Sequence, residues 1–328
     1  MNDKNDDDII KILTISNKIA IFGHENPDWD CIGSMLWLWW LLEKQWKQVL
    51  YFTPNPVSKI FSFIDWIEKI KSNFDYGKYD AFVFVDFSGY KRIDTITYMH
   101  EWYFDLNKLI VIDHHLWNDL PMYAIVYKDV SVMSVCELIF EITYSVWNKY
   151  YDSKIATYLY IWLLTDSGVF RYDRLLDQSK RLFSNSLQLL ELWADKSYLI
   201  KNIFSSKRFE AVEFMQLLIS RMKYIWAVLY TYFDQEELKQ KSIDEEEAIY
   251  AQFIMQEIAG PRIVIVFKIF SSYIKWSIRT NDFSTDCEKV AVHFWWWWHK
   301  AAAWFKIKCD SNFLESIRLT VEIIQGMI

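Results

Sequence analysis

Glycine is the residue that this sequence most conspicuously lacks. The 328-residue chain holds seven glycines, whereas average usage near 7% predicts about 23. Tryptophan is in excess, with 18 residues, so that the two types together come close to the number expected for glycine alone. With so few glycines, most tight turns of this chain must be made by residues that carry a Cβ atom.

Other absences narrow the class of protein. The net charge is −7, whereas a protein that coats long nucleic acid would be basic. The four cysteines form no CxxC pair, which favours a reduced, cytoplasmic compartment over a disulfide framework. No apolar run approaches the roughly 18 residues that cross a bilayer, and the acidic start is not a secretory signal. We expect a cytoplasmic protein that binds neither membrane nor long duplex nucleic acid.

Short apolar runs alternate with helix-like stretches in the first half of the chain. This alternation is typical of an α/β fold in which helices cover both faces of a parallel sheet. Strands are predicted at 18–22, 49–52, 81–85 and 109–112, and helices at 32–47, 134–148 and 155–164.

A second, smaller α/β domain is predicted after Gly260-Pro261. Strand-like runs at 262–270 and 273–279 precede a helix-like stretch at 285–294. The acidic run 234–247 is interpreted as a solvated helix face or loop. The expected organisation is a first domain over 1–185, a helical linker over 186–214 and a second domain over 215–328.

Acidic and histidine side chains follow the predicted strands where they end. In parallel sheets, ligands bind beyond the carboxyl ends of the strands. A single aspartate at such a position is more often a turn or helix cap, but the clustering here indicates a site. The candidate residues are His24, Asp28, Asp30, Asp86, Asp113, His114, His115 and Asp166.

Carboxylates mixed with imidazoles suit a divalent cation. Asp28 and Asp30, two residues apart, can converge on one turn, and Asp86 is placed to bridge two ions. His114 and Asp166 can complete the coordination shell of the second ion. Such a donor set favours Mn²⁺ over Zn²⁺. Two ions about 3.5–4 Å apart can clamp a phosphoryl centre and activate water near neutral pH.

Four sequence motifs resemble those of the DHH phosphoesterases. They are His-x-Asn-Pro-Asp-x-Asp-x-Ile-Gly-Ser starting at His24, the strand-end Asp86, Asp-His-His, and Thr-Asp-Ser-Gly-Val-Phe-Arg. Their order resembles the oligoribonuclease and pAp phosphatase branch, often called nanoRNases. The segment Phe-x-x-x-x-His-Lys-x-Ala-Ala-x-Phe resembles the Gly-Gly-Gly-His segment of the DHH-associated substrate domain. The resemblance covers about 18–175 and 260–310.

The resemblance implies two metal ions, with manganese the expected cofactor. It assigns His24, Asp28 and Asp86 to one ion. It assigns Asp30, Asp86, His114 and Asp166 to the other.

The resemblance also implies roles outside the metal ligands. Asp113 would orient a ligand, and His115 would face the substrate phosphate. Arg171 would bind a phosphate or base, although a surface salt bridge explains it equally well.

The resemblance places the rest of the substrate site in the second domain. The candidates there are His299, Arg279, Lys300, Trp297 and Trp298. Alternatively, Arg279 is a surface residue of a strand and His299 is an ordinary loop residue without a role in binding.

The expected activity is hydrolysis of short single-stranded RNA to mononucleotides, of 3′-phosphoadenosine 5′-phosphate to AMP, or of both, at a site between the domains. A phosphodiesterase of signalling dinucleotides would share the metal site and is the alternative enzyme. A non-catalytic nucleotide-binding protein with a degenerate substrate loop is the alternative from another class. The oligomeric state, a homodimer included, is left open.

Several tryptophans stand where the family pattern has glycine. Glycine lets a loop approach phosphate closely and adopt positive φ, and an indole does neither easily. An aromatic platform for bases is one reading, but it does not explain Trp29 or Trp162. We prefer the hypothesis that UGA codons read as glycine in the cell have been translated as tryptophan. The positions are Trp29, Trp162, Trp295 to Trp298 and Trp304.

Overall fold

The computed structural model divides into two compact units, Met1–Ser205 and Ser206–Ile328. The linker expected over 186–214 stays a prediction. The residues that the structure describes are 6–74, 76–87, 89, 108–115, 124–170, 176–281, 285–294, 302–309 and 312–328.

A five-stranded parallel sheet forms the centre of the first unit. Its strand order is β2-β1-β3-β4-β5, and Phe22 pairs with Phe84 while Val85 pairs with Ile112. β1, β3 and β4 consequently end side by side, and the predicted α/β fold with a parallel sheet is confirmed. The strands are β1 (Lys18–Phe22), β2 (Gln48–Phe52), β3 (Ala81–Val85), β4 (Lys108–Asp113) and β5 (Ile125–Lys128).

Side-chain caps fix where the helices of this unit begin. Asp28, Ser134 and Asp152 each accept a hydrogen bond from a backbone N–H in the first turn of the helix that follows. Among the described residues, no helix is both long and apolar enough to cross a membrane. The helices are α1 (Asp6–Ile15), α2 (Trp29–Glu43), α3 (Val135–Trp147), α4 (Ser153–Thr165), α5 (Leu176–Glu191) and α6 (Lys196–Phe204).

The two faces of this sheet are buried differently. Ile19, Ile21 and Val83 pack into the large aliphatic cluster with α2, α3 and α4. Phe22 and Phe84 point the other way into an aromatic cluster, with ring centroids 5.1 Å apart at 81°. Burial on both faces explains why the strands read as unbroken apolar runs.

A mixed five-stranded sheet forms the second unit. Its order is β10-β9-β8-β7-β6; β7 and β8 are parallel, and the other neighbouring pairs are antiparallel. The acidic run becomes α8 and the start of α9. The strands are β6 (Lys223–Ile225), β7 (Val228–Asp234), β8 (Ile263–Ile269), β9 (Tyr273–Thr280) and β10 (Ala302–Lys308); the helices are α7 (Phe209–Ser220), α8 (Gln235–Lys241), α9 (Glu245–Gln256), α10 (Cys287–His293) and α11 (Phe313–Gln325).

Four tryptophans occupy left-handed backbone conformations. Trp46, Trp66, Trp193 and Trp226 have φ between 56° and 67°, a region that bulky residues rarely adopt. The N–H groups of Trp46 and Lys47 bond to Glu43 O and Leu42 O, the pattern of a Schellman helix end, which favours glycine at the position of Trp46.

Trp193 and Trp226 also stand at positions where the backbone favours glycine. Trp193 and Ala194 repeat the Schellman pattern after α5, with bonds to Leu190 O and Leu189 O. Trp226 lies in the two-residue turn between β6 and β7, where positive φ is the norm for glycine or asparagine. These indoles are 82% and 86% exposed, and that of Trp46 is 97% exposed, so packing does not explain them.

Candidate metal centre

The centre is built at the carboxyl ends of β1, β3 and β4. Asp86 follows β3 directly and has φ 56°, a conformation that aspartate tolerates better than most residues. Its N–H donates to Ile112 O on β4 at 3.1 Å. This turn brings a buried carboxylate between His24, which follows β1, and His114, which follows β4.

The two oxygens of Asp86 face different partners. Oδ2 lies 3.0 Å from His24 Nε2, and that nitrogen lies 3.9 Å from Asp28 Oδ1. Oδ1 lies 3.8 Å from His114 Nε2, which lies 3.9 Å from Asp30 Oδ2. Oδ1 has no hydrogen-bond partner in the part of the chain described. Asp86 is thus shared by two groups of donor atoms.

The hydrogen bond on the far side of His24 fixes how its ring is used. Nδ1 lies 2.8 Å from Glu25 O, and because a carbonyl only accepts, Nδ1 carries the proton. When Nε2 is protonated as well, it donates to the carboxylate of Asp86, 3.0 Å away; in the neutral ring, Nε2 presents a lone pair to the same carboxylate. A cation held by both groups resolves this contact, and the backbone bond orients the ring for it.

Asp30 is held by the amino end of α3. Its oxygens accept from Val135 N at 2.7 Å and Cys136 N at 2.9 Å. Burial, followed by the charges of Asp86 and Asp28, raises the pKa of Asp30 despite these bonds. Sequence reasoning missed this clamp, because no local pattern joins residues more than a hundred positions apart.

Asp166 ends α4 and completes the cluster of acids. The residue is half-buried, but its Oδ2 is covered and has no hydrogen-bond partner among the described residues. Burial and the charges of Asp30 and Asp28 raise the pKa of Asp166. A cation would relieve this repulsion.

Histidines offset the charge at the centre of the cluster. Burial acts to raise the pKa of Asp86, but the hydrogen bond from His24 and the charges of His115 and His24 hold that pKa well below its usual range. Burial and the neighbouring His115 lower the pKa of His114, which favours the neutral imidazole that binds metal.

Asp113 and His115 form a separate buried pair. His115 Nδ1 lies 2.7 Å from Asp113 Oδ1 and 3.5 Å from Asp86 Oδ1. Asp113 is fully buried on β4, so that its carboxylate sets the orientation of the His115 ring.

Cys31 is a further candidate donor that sequence reasoning missed. Its Sγ, together with donor atoms of His24 and Asp86, forms a group within 4.8 Å of one another. The position is in the first turn of α2, three residues after Asp28, and that spacing was the available signal.

Most of the first unit matches a known protein family. Residues 18–161 match the model of the DHH family, N-terminal domain. Over this stretch the chain is similar to the DHH family. That match contains the Asp113-His114-His115 tripeptide that ends β4, and the predicted resemblance is confirmed.

Curated relatives carry one name. The chain is 29% identical over 158 residues to the bifunctional oligoribonuclease and PAP phosphatase NrnA of Mycoplasma genitalium, covering 48% of each protein. It is 24% identical over 186 residues to the Bacillus subtilis protein of that name, covering 55% of this chain and 56% of the relative. The chain thus spans about half the length of the curated relatives it matches.

A solved structure shows the same fold. An exopolyphosphatase-related protein from Bacteroides fragilis superposes with a TM-score of 0.85 at 21% identity, covering 98% of this chain and 95% of that protein. The folds of both units are therefore found together in another protein.

The structure describes the candidate substrate residues only in part. Arg279 lies on β9, half-buried, and donates to Ser277 Oγ and Ile278 O. The other candidates lie outside the described residues: Arg171, Trp297, Trp298, His299 and Lys300.

Two of the tryptophans at family glycine positions pack inside the first unit, one partly and one fully buried. Trp29 is the first residue of α2, and its ring centroid lies 4.4 Å from that of Phe61. Trp162 is fully buried in α4, and its Nε1 has no hydrogen-bond partner among the described residues. A buried indole N–H normally finds an acceptor, so position 162 is poorly suited to tryptophan.

Proposed function

We propose that this protein is a metal-dependent phosphoesterase that binds two divalent cations. His24, Asp28 and Asp86 would hold one ion, and Asp30, Asp86, His114 and Asp166 the other. The observation that carries the proposal is Asp86, whose two carboxylate oxygens each face a separate pair of donor groups.

The residues present fit such ions. Asp86 Oδ1 and Asp166 Oδ2 are buried acceptors without hydrogen-bond partners among the described residues, and His24 presents Nε2 to a carboxylate. Leaving such groups unpaired costs about 1–3 kcal/mol each, and more when they are charged. When bound, two cations would neutralise phosphoryl oxygens and lower the pKa of water. Oxygen and imidazole donors suit Mn²⁺.

His115 would act on the substrate rather than on a metal. Its Nδ1 pairs with Asp113, and its other ring nitrogen, Nε2, would contact a phosphoryl oxygen or transfer a proton to the leaving oxygen. Asp113 would hold the ring in that orientation.

The substrate class follows from the relatives and from charge. Two relatives are named oligoribonuclease and PAP phosphatase, so we propose short single-stranded RNA and 3′-phosphoadenosine 5′-phosphate as substrates. A chain of net charge −7 suits short substrates, since cations supply positive charge locally. The four cysteines are buried and form no disulfide, which suits a reaction in the cytoplasm.

The decisive test uses a version with glycine at residues 29, 162, 295 to 298 and 304, called here the glycine version. We expect it to hydrolyse a diribonucleotide with Mn²⁺ and to lose activity at least about 1,000-fold on Asp86→Asn, because that change removes a donor shared by both ions. Product release would be measured by chromatography.

Asp65→Asn is the matched control, since Asp65 is a half-exposed carboxylate that pairs with Lys154 on the surface. Equal losses in both variants, or no turnover by the glycine version, would contradict the proposal. Turnover of cyclic dinucleotides alone would favour the signalling phosphodiesterase. Nucleotide binding without turnover would favour the non-catalytic alternative.

A further inference from the structure

Cys31 places a sulfur atom beside the ion that His24, Asp28 and Asp86 would hold. Its Sγ and donor atoms of His24 and Asp86 all lie within 4.8 Å of one another, and all three residues are buried. Metal–sulfur and metal–nitrogen bonds of about 2.3 and 2.1 Å allow two donors of one ion to lie up to about 4.4 Å apart. Small shifts of these side chains would therefore let one cation contact all three of them.

The start of α2 holds this sulfur in place. Cys31 N donates to Asp28 Oδ1 at 3.1 Å, so the carboxylate that caps the helix also fixes the position of Cys31. The same oxygen lies 3.9 Å from His24 Nε2. The capped turn thus brings a carboxylate and a sulfur to the same imidazole.

The end of β1 leaves room for the sulfur. Gly23 N donates to Phe52 O at 2.9 Å, which fixes the backbone just before His24. A Cβ atom on Gly23 would lie 2.5 Å from Cys31 Sγ and 2.4 Å from Met35 Sδ, and these two sulfurs lie 4.0 Å apart. Because glycine has no Cβ, the sulfur of Cys31 can lie against the backbone that leads to His24.

A packing role alone does not account for these surroundings. A buried cysteine usually behaves as a small apolar residue, and Cys136, near the same centre, bonds to Ser34 Oγ and to the carbonyl of Asp30. Cys31 instead shares its group of donor atoms with Asp86, whose Oδ1 is buried and has no hydrogen-bond partner among the described residues. A residue with such an oxygen, adjoining both a sulfur and an imidazole, is suited to a cation.

We propose that Cys31 is a sulfur ligand of the ion held by His24, Asp28 and Asp86, and that it makes this site prefer Zn²⁺ or Co²⁺ to Mn²⁺. The inference deepens the proposed function and rests on its metal centre. Sulfur donors favour softer ions such as Zn²⁺, whereas carboxylates suit Mn²⁺ and Mg²⁺. The proposed ligands of the second ion supply only oxygen and nitrogen, so the two sites should select different ions.

Cobalt reports directly on a bound sulfur. A cysteine sulfur on Co²⁺ gives an intense charge-transfer absorption in the near ultraviolet, whereas the weaker visible bands of Co²⁺ report binding by any ligand. We expect this charge-transfer absorption in Co²⁺ difference spectra of the chain as written. It should disappear in Cys31→Ser and Cys31→Ala while the visible bands remain. Cys136→Ser is the matched control, because it removes the other buried sulfur near the centre and should keep the absorption.

Calorimetry would measure the metal preference. A hydrogen-bond partner of a ligand already contributes about 10–100-fold to metal affinity, so loss of a direct donor in Cys31→Ser should weaken Zn²⁺ binding at least about tenfold. Mn²⁺ binding should change by no more than about threefold, because sulfur is a poor donor for that ion. Thermal melting without metal would show that the variants fold.

The outcomes separate this inference from the metal centre on which it rests. Co²⁺ binding without the charge-transfer absorption, its persistence in both Cys31 variants, its equal loss in Cys136→Ser, or equal losses of Zn²⁺ and Mn²⁺ affinity would overturn the sulfur ligand alone. A chain that binds none of Co²⁺, Zn²⁺ and Mn²⁺ would overturn the proposed metal centre as well. Because the absorption is first measured on the unsubstituted chain, the test does not depend on the folding of a variant.

Discussion

At the scale of single residues, three exposed tryptophans adopt a left-handed backbone conformation that disfavours side chains with a Cβ atom. Two Schellman helix ends and one two-residue hairpin turn place Trp46, Trp193 and Trp226 at positive φ, although each indole lies in solvent. A Cβ atom costs roughly 1–2 kcal/mol in this conformation. These positions were not among the glycine positions of the family pattern, so they support the UGA hypothesis independently.

We expect Trp226→Gly and Trp193→Gly each to raise the free energy of unfolding by about 1 kcal/mol. Relief of left-handed strain should exceed the 0.5–1 kcal/mol that glycine costs through chain entropy. Urea denaturation would measure the change. Trp147→Gly is the control, because Trp147 is buried at φ −120° and should lose stability. Lower stability on Trp226→Gly, or UGG codons at 193 and 226, would refute this account.

At the scale of elements, the sequence predicts the features that depend on neighbouring residues in the chain. The strands ending at Phe22, Val85 and Asp113 were predicted because burial on both faces leaves unbroken apolar runs, and the site residues follow them directly. β5, β6, β7 and β10 were not predicted; β5 is short and half-buried, β6 has only three residues, and β7 leads directly into the acidic run, which was interpreted as one helix face or loop. The clamp of α3 on Asp30 depends on packing between distant segments.

Glu137 should make the stability of the protein depend on pH at the amino end of α3, where the backbone binds Asp30. It accepts from Met133 N and Asn185 Nδ2 at the start of α3, and burial raises the pKa of Glu137 to about 7. The folded state then binds a proton that the unfolded state releases near pH 4.5, so stability should fall as pH rises from about 4.5 to about 7, by up to about 3 kcal/mol. Glu137→Gln should flatten melting temperature over this range.

A control separates Glu137 from other acids. Glu191, an exposed residue at the end of α5, should leave the pH profile unchanged when it is replaced by glutamine. An unaltered profile in Glu137→Gln would show that Glu137 does not titrate in this window.

At the scale of the whole molecule, the unexpected tryptophans should affect the candidate substrate segment far more than the proposed metal ligands. The six proposed ligands involve no tryptophan, and the structure brings them together with Trp29 and Trp162 in place. The substrate segment holds four consecutive tryptophans where the family has glycine. The chain as written should therefore bind metal while handling substrate poorly.

We expect the chain as written and the glycine version to bind Mn²⁺ with affinities within about threefold, because the donor atoms are the same. Turnover of a diribonucleotide should be at least about 100-fold lower for the chain as written, since an indole is too bulky for a segment whose backbone N–H groups would have to approach phosphate. Calorimetry with Mn²⁺ and product chromatography give the two readouts. Restoring glycine at 295 to 298 alone should recover more activity than restoring it at 29 alone, because position 29 lies in the metal-binding unit. Equal turnover of the two versions would show that these tryptophans are compatible with catalysis, and weaker Mn²⁺ binding by the chain as written would place their damage at the metal centre instead.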